Sequence, residues 1–112
     1  MPSKHTPGPW EATDLRVKGN YARVVQAISG ETVANVADDP TNLEPTEESI
    51  ANARLIAAAP DLLGSLKAAW VWLENERRKH RAHGEENEEA YMGALADDAK
   101  AAIYAAEGGF ND

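Results

Sequence analysis

The helical half of this chain opens with the stretch Asn52-Ala-Arg-Leu-Ile-Ala-Ala-Ala-Pro-Asp-Leu-Leu63. Its alanine-rich part favours helix, and Thr46 upstream is a good helix N-cap, although Ser49 stands where the glutamate of a capping box would be. We predict a first helix from about Glu47 to Ala59. Proline fits a first helical turn but not a helix interior, so Pro60 is predicted to begin a second helix or to mark a sharp kink.

The segment after Pro60 carries an apolar stripe with helical spacing. Its members are Leu62, Leu66, Ala69 and Leu73, with Leu63 and Trp70 on the flank. Gly64 lies inside this pattern and weakens the helix by up to about 1 kcal/mol relative to alanine. A close contact with another element at Gly64 would explain its presence.

Two further signals predict a C-terminal helical hairpin. The second helix ends in the basic run Arg77–Arg81 and is stopped by Gly84, and a third runs from the acidic start at Glu85 to Gly108-Gly109. The third helix carries Tyr91, Leu95, Ala99, Ala102, Ile103 and Ala106 on one side. Two helices joined by a short loop form an antiparallel hairpin.

Upstream, the chain has strand character. After the rigid lead-in Thr6-Pro-Gly-Pro-Trp10, three strands are predicted, namely 10–17, 21–28 and 32–37, with turns at 18–20 and 29–31 and a loop at 38–45. The predicted fold is α+β: a three-stranded antiparallel β-meander packed on a kinked helix pair, followed by the helical hairpin. We expect one domain, residues 1–112, with a β-rich half (1–46) and a helical half (47–112).

Composition narrows the function classes. The net charge is −8, and residues 47–112 carry thirteen acidic against seven basic side chains, which is the wrong sign for a duplex-binding face. The chain has no cysteine, no apolar run of membrane-spanning length and no signal-peptide pattern at its start, so we expect a cytoplasmic protein. Many apolar residues are alanines with little area to bury, which favours a homo-oligomer.

Three kinds of charged cluster are candidate sites. Arg77–Arg81 could bind phosphate, but a basic helix end beside an acidic helix start more simply compensates two helix dipoles. His80 and His83, with Glu86 nearby, have poor spacing for a metal. The acidic pairs, Asp38/Asp39 and Asp97/Asp98, suit a turn and diverging helix positions better than acid–base chemistry. We therefore predict no enzyme activity, no metal and no cofactor.

A small-molecule site is the remaining candidate. Asn52 and Arg54 lie in a helix otherwise rich in apolar residues, so we expect one or both near the core, where a polar group needs a partner. One interpretation ties them to backbone carbonyls of the Pro-rich lead-in. The other combines Arg54 with an aromatic ring in an anion-binding pocket. The predicted ligand-binding residues are Trp10, Tyr21, Arg23, Asn52 and Arg54.

Two motifs carry a family resemblance. The TPGPW start at Thr6–Trp10 and the segment Asn52–Leu63 make the chain similar to the Ead-like early-region proteins of temperate phages. The resemblance brackets about half of the chain and leaves the third helix outside. It implies an accessory, non-virion protein of an infected or lysogenic bacterium, with no activity to carry over to particular residues.

These observations lead to two main hypotheses. The first is a non-enzymatic counter-defence protein that sequesters a small nucleotide immune signal as an oligomer. The alternative is a protein–protein interaction module that inhibits or adapts a host or phage enzyme through its acidic third helix. A DNA mimic is disfavoured because the charge is moderate and mixed.

Overall fold

The computed structural model of the chain describes residues 5–17, 20–36 and 46–108, with the backbone alone for 15–17 and 20–22. Its elements are β1 (Trp10–Val17), β2 (Asn20–Ala27), β3 (Thr32–Val36), α1 (Glu47–Ala57), α2 (Ala59–Ala82) and α3 (Glu86–Glu107). The α+β fold class is confirmed. The predictions made for Lys18, Gly19, Ala37, the loop 38–45 and Gly109 lie outside the described residues.

The residues cluster into two compact units, Met1–Asp61 and Leu62–Asp112. The first unit joins the three strands to α1, so α1 groups with the sheet. The prediction of a single domain stays a prediction.

The sheet is the predicted antiparallel meander, with strand order β1-β2-β3. Trp10 pairs with Ala27 at one end of the first hairpin and Val17 with Asn20 at the other. The second hairpin turns at Gly30, whose φ of 97° lies in the left-handed region that favours glycine. The Gly30 amide donates to the Ala27 carbonyl at 2.9 Å and closes this turn.

The core of the first unit centres on β2 and α1. Val24 and Val25 are both fully buried, and because successive strand residues point to opposite faces, both faces of β2 are covered there. α1 packs against all three strands. Its fully buried residue is Ala53, whose small side chain lets the helix backbone approach the sheet closely.

Both ends of α1 follow from local chemistry. Thr46 is the N-cap, as predicted: its Oγ1 accepts from the Ser49 amide at 3.1 Å. The buried Ser49 hydroxyl donates back to the Thr46 carbonyl at 3.0 Å. The hydroxyl therefore has a hydrogen-bond partner at the position where a capping box would have glutamate. α1 ends at Ala57, two residues before its predicted end, and Pro60 lies in the first turn of α2, as predicted.

The second unit is an antiparallel hairpin of α2 and α3. Lys67 Nζ meets Glu107 Oε2 at 2.8 Å near one end, and Arg81 Nε meets Glu89 Oε1 at 2.6 Å near the other. α3 begins at Glu86, one residue after its predicted start, and ends, as predicted, at Gly108, whose φ is 90°.

The close approach within the hairpin lies at Gly93. A β-carbon there would be 3.1 Å from Arg77 Cδ, whereas one at Gly64 would meet nothing within 4 Å. The expected close contact at Gly64 is therefore wrong, because Gly64 lies on the exposed side of α2.

The predicted apolar stripes are partly correct. On α2, Leu63, Leu66, Trp70 and Leu73 are half-buried, but Leu62 and Ala69 are exposed. On α3, Ala99 and Ile103 are buried with Gly93 and Ala96, whereas Tyr91, Leu95, Ala102 and Ala106 are exposed. The helix turns its small residues inward, since these allow close packing, and leaves the larger Tyr91 outside. Within the described residues, neither α2 nor α3 nor α1 has an apolar stretch that would span a membrane.

Candidate functional site

Trp10, the first predicted ligand-binding residue, serves the structure of the lead-in. Its indole Nε1 donates to the Thr6 carbonyl at 3.1 Å, and the His5 ring meets it edge-on with centroids 6.0 Å apart. The indole is half-buried. Its polar end is therefore already engaged, and a ligand would have access only to what remains of the ring.

Arg23 is also engaged. It lies directly across from Asp14 in the sheet, and its Nε is 3.1 Å from Asp14 Oδ1, with the Arg23 side chain 15% exposed. An anionic ligand would have to compete with this carboxylate. Trp10 pairs with Ala27, four residues along β2 from Arg23, so the two positions are about 13 Å apart along the sheet. The side chain of Tyr21 lies outside the described residues.

Asn52 and Arg54 are both exposed, so the expectation that one or both lie near the core is wrong. Neither side chain makes a hydrogen bond to the described part of the lead-in, residues 5–9. Residues two apart on a helix project to different sides, so these two do not converge on one ligand. Asn52 and Arg54 are exposed because the covered side of α1 is the one formed by Ser49 and Ala53, which lie one turn apart.

The basic end of α2 is neutralised by neighbouring carboxylates. Arg77 Nη2 meets Glu74 at 3.0 Å, and Arg81 meets Glu89 across the hairpin. An open groove of about 460 Å³ lies beside these pairs. Its lining is Arg77, Arg81, Glu86, Glu89, Ala90, Gly93, Ala94 and Asp97. Because both signs of charge line it and both arginines have carboxylate partners, the groove offers no cationic surface for phosphate.

The histidines of this region contact glutamate. His80 Nδ1 lies 3.3 Å from Glu85 Oε1, and His83 Nδ1 lies 4.0 Å from the same oxygen. Among the described residues no three His, Asp or Glu side chains come close enough together to hold a metal ion.

Sequence reasoning missed an exposed apolar face on α3. Tyr91 is 63% exposed and Leu95 37%, with the exposed carboxylates of Glu88 and Asp98 one turn beyond them on the same side. These four residues, spaced by three, four and three positions, are named here the α3 outer face. The sequence did contain a signal for this face, because α3 carries apolar residues on more than one side. A single partner helix in a hairpin covers only one of those sides.

A second exposed apolar region lies on α2. Val71 is 55% and Trp72 57% exposed, and no residue of this 24-residue helix is fully buried. An amphipathic helix in a packed protein normally covers its large apolar side chains, so these two residues are candidates for contact with another molecule.

Comparison with known proteins identifies the family. No curated protein and no solved structure matches the chain. Residues 1–110 match the family described as Salmonella phage P22 protein Y8K6, which includes the strands, the three helices and the α3 outer face. The match covers nearly the whole chain, so this protein belongs to the phage family of Salmonella phage P22 protein Y8K6.

Proposed function

We propose that this phage protein is a non-enzymatic accessory protein that acts by binding in the cytoplasm of the infected bacterium, with counter-defence as its role. Membership of a phage family supports the setting. The resemblance of its two motifs to Ead-like early-region proteins supports an accessory role and stays a prediction.

Binding to another protein is the version that the geometry supports best. The carrying observation is the α3 outer face, where Tyr91 and Leu95 stand exposed between Glu88 and Asp98. Tyrosine is enriched at protein interfaces because its rigid ring covers much area at little cost in conformational entropy. The flanking carboxylates favour a partner with an apolar groove and a basic rim.

Pull-down from phage-infected lysate tests this version. The native chain should retain a stoichiometric host or phage protein, and the double variant Tyr91→Ala/Leu95→Ala should lose it. Leu55→Ala is the matched control, since Leu55 is a comparably exposed apolar residue on α1. Equal capture by the native chain and the double variant would remove the α3 outer face from the proposal.

Nucleotide sequestration is the second candidate, supported by Arg54. This guanidinium is exposed and makes no ion pair with any described residue, so it is available to a phosphate. Calorimetry against cyclic and linear nucleotides should then show binding that Arg54→Ala abolishes and Arg78→Ala, an exposed arginine of α2, preserves. No heat across the panel, with no nucleotide mass in the purified protein, would eliminate this candidate.

A further inference from the structure

The outer side of α2 carries a regular stripe that nothing in the described chain covers. Its members lie at steps of four, three, four, three and four residues, so they follow one side of the helix. They are Asp61, Ser65, Ala68, Trp72, Asn75 and Lys79, and all six are exposed. The opposite side of the same helix, with Leu66, Trp70 and Leu73, is half-buried, so α2 has one partner already and room for a second.

The order of chemical types along this stripe is self-complementary when reversed. An antiparallel copy centred on position 70 places Asp61 opposite Lys79. The same alignment places Ser65 opposite Asn75, and the small Ala68 opposite the large Trp72. Charge meets opposite charge at both ends, where Lys79 Nζ also lies 3.6 Å from Glu76 Oε1 of its own helix. Polar meets polar between, and at the centre a bulky ring faces a small side chain that leaves space for it.

We propose that the outer stripe of α2 is the interface of a homodimer, in which two copies of α2 pack antiparallel about a two-fold axis near residue 70. A two-fold contact is isologous, so each residue pair occurs twice in the interface. One set of complementary residues on α2 therefore serves both halves of the contact. Val71, which is exposed beside Trp72, adds apolar area on one flank of the contact near its centre. A parallel pair would instead set Asp61 against Asp61 and Lys79 against Lys79.

The proposed dimer is independent of which molecule the protein binds. It concerns α2, whereas the proposed contact with another protein uses α3 and the nucleotide alternative uses α1. Failure of the dimer would leave the pull-down outcome untouched, and the calorimetry tests binding at Arg54 whatever the oligomeric state.

Sedimentation over a range of concentrations tests the dimer. The native chain should move from the 12.1 kDa monomer toward twice that mass. Trp72→Glu should raise the dissociation constant by about tenfold or more, because it buries a charge at the centre of the contact. Leu55→Glu, a charge placed at an equally exposed apolar site on α1, should leave it unchanged. A native chain that stays monomeric at all concentrations, or equal effects of the two variants, would overturn the proposal.

Cysteine pairing tests the direction, because the native chain contains no cysteine. A mixture of Ser65→Cys and Asn75→Cys proteins should form a mixed disulfide dimer under oxidation, and each protein alone should not. In the proposed register two copies of position 65 lie about 15 Å apart along the axis. That exceeds the roughly 7 Å limit for a disulfide. Efficient self-linking of Ser65→Cys alone would contradict the antiparallel arrangement.

Discussion

Gly8 and Pro60 are the residues at which the two family-like motifs meet. A β-carbon at Gly8 would lie 2.8 Å from Pro60 Cβ, closer than side-chain carbons normally approach. The lead-in is held beside this contact by the bond from the Trp10 indole to the Thr6 carbonyl. The Pro-rich start and the start of α2 therefore pack on one another, which gives both motifs a structural role.

Gly8→Ala should lower the free energy of unfolding by about 1–3 kcal/mol, because the added methyl group overlaps a ring that is itself fixed in a helix. Urea unfolding followed by circular dichroism measures the change. Gly64→Ala is the control: with nothing within 4 Å, alanine there should raise stability by about 0.5–1 kcal/mol through its helix propensity. The same sign for both substitutions would contradict the close approach at Gly8.

Thr46→Ala should cost about 1 kcal/mol, because the Ser49 amide loses its side-chain acceptor at the start of α1. Thr46→Ser keeps a hydroxyl acceptor and should retain most of the stability. Comparison of the two urea midpoints separates loss of the cap from loss of the threonine methyl group. A serine variant as unstable as the alanine variant would show that capping is not the cause.

At the scale of elements, the hairpin shows that the buried side of α3 is the side that carries its smallest residues. Gly93, Ala96 and Ala99 lie on the buried side of α3, while Tyr91 and Leu95 stand outside. The Arg77 side chain of α2 lies against Gly93, and ion pairs near both ends of the hairpin join the two helices.

Substitution at two alanines of α3 tests this assignment of faces. Ala96→Leu should destabilise the protein by about 1–3 kcal/mol, since Ala96 is fully buried and its neighbours would be forced apart. Ala102→Leu, at an exposed position, should change stability by less than about 0.5 kcal/mol. Thermal unfolding of both variants distinguishes the two faces. A larger loss of stability for Ala102→Leu than for Ala96→Leu would contradict the buried face seen in the structure and support the stripe predicted from the sequence.

At the scale of the whole molecule, charge decides which partners are accessible. The net charge of −8 is concentrated beyond residue 46, and α3 contributes six acidic side chains against the single cation Lys100. Such a surface repels phosphate backbones and attracts basic proteins, which agrees with the proposed partner of the α3 outer face.

The purified chain should accordingly not retard duplex DNA in a gel at 50 mM salt, even at protein concentrations on the order of 10 µM. Arg77 and Arg81 already pair with glutamates, so they are not free to neutralise phosphates and thereby release counterions from the DNA. A basic DNA-binding protein run in parallel checks that the assay detects binding. Retardation that weakens as salt rises would contradict the prediction.

The sequence by itself determined the kinds of element, their order and most of their ends. The cap at Thr46, the break before Pro60 and the stop at Gly108 are local signals, since each depends on the backbone chemistry of a few adjacent residues. Only the tertiary structure decided which sides of the helices are covered. The exposure of Arg54 and Asn52, the close approach at Gly93 and the outward position of Tyr91 depend on residues distant in the chain. Periodicity shows that a helix has an apolar side, but where several sides are apolar, packing selects among them.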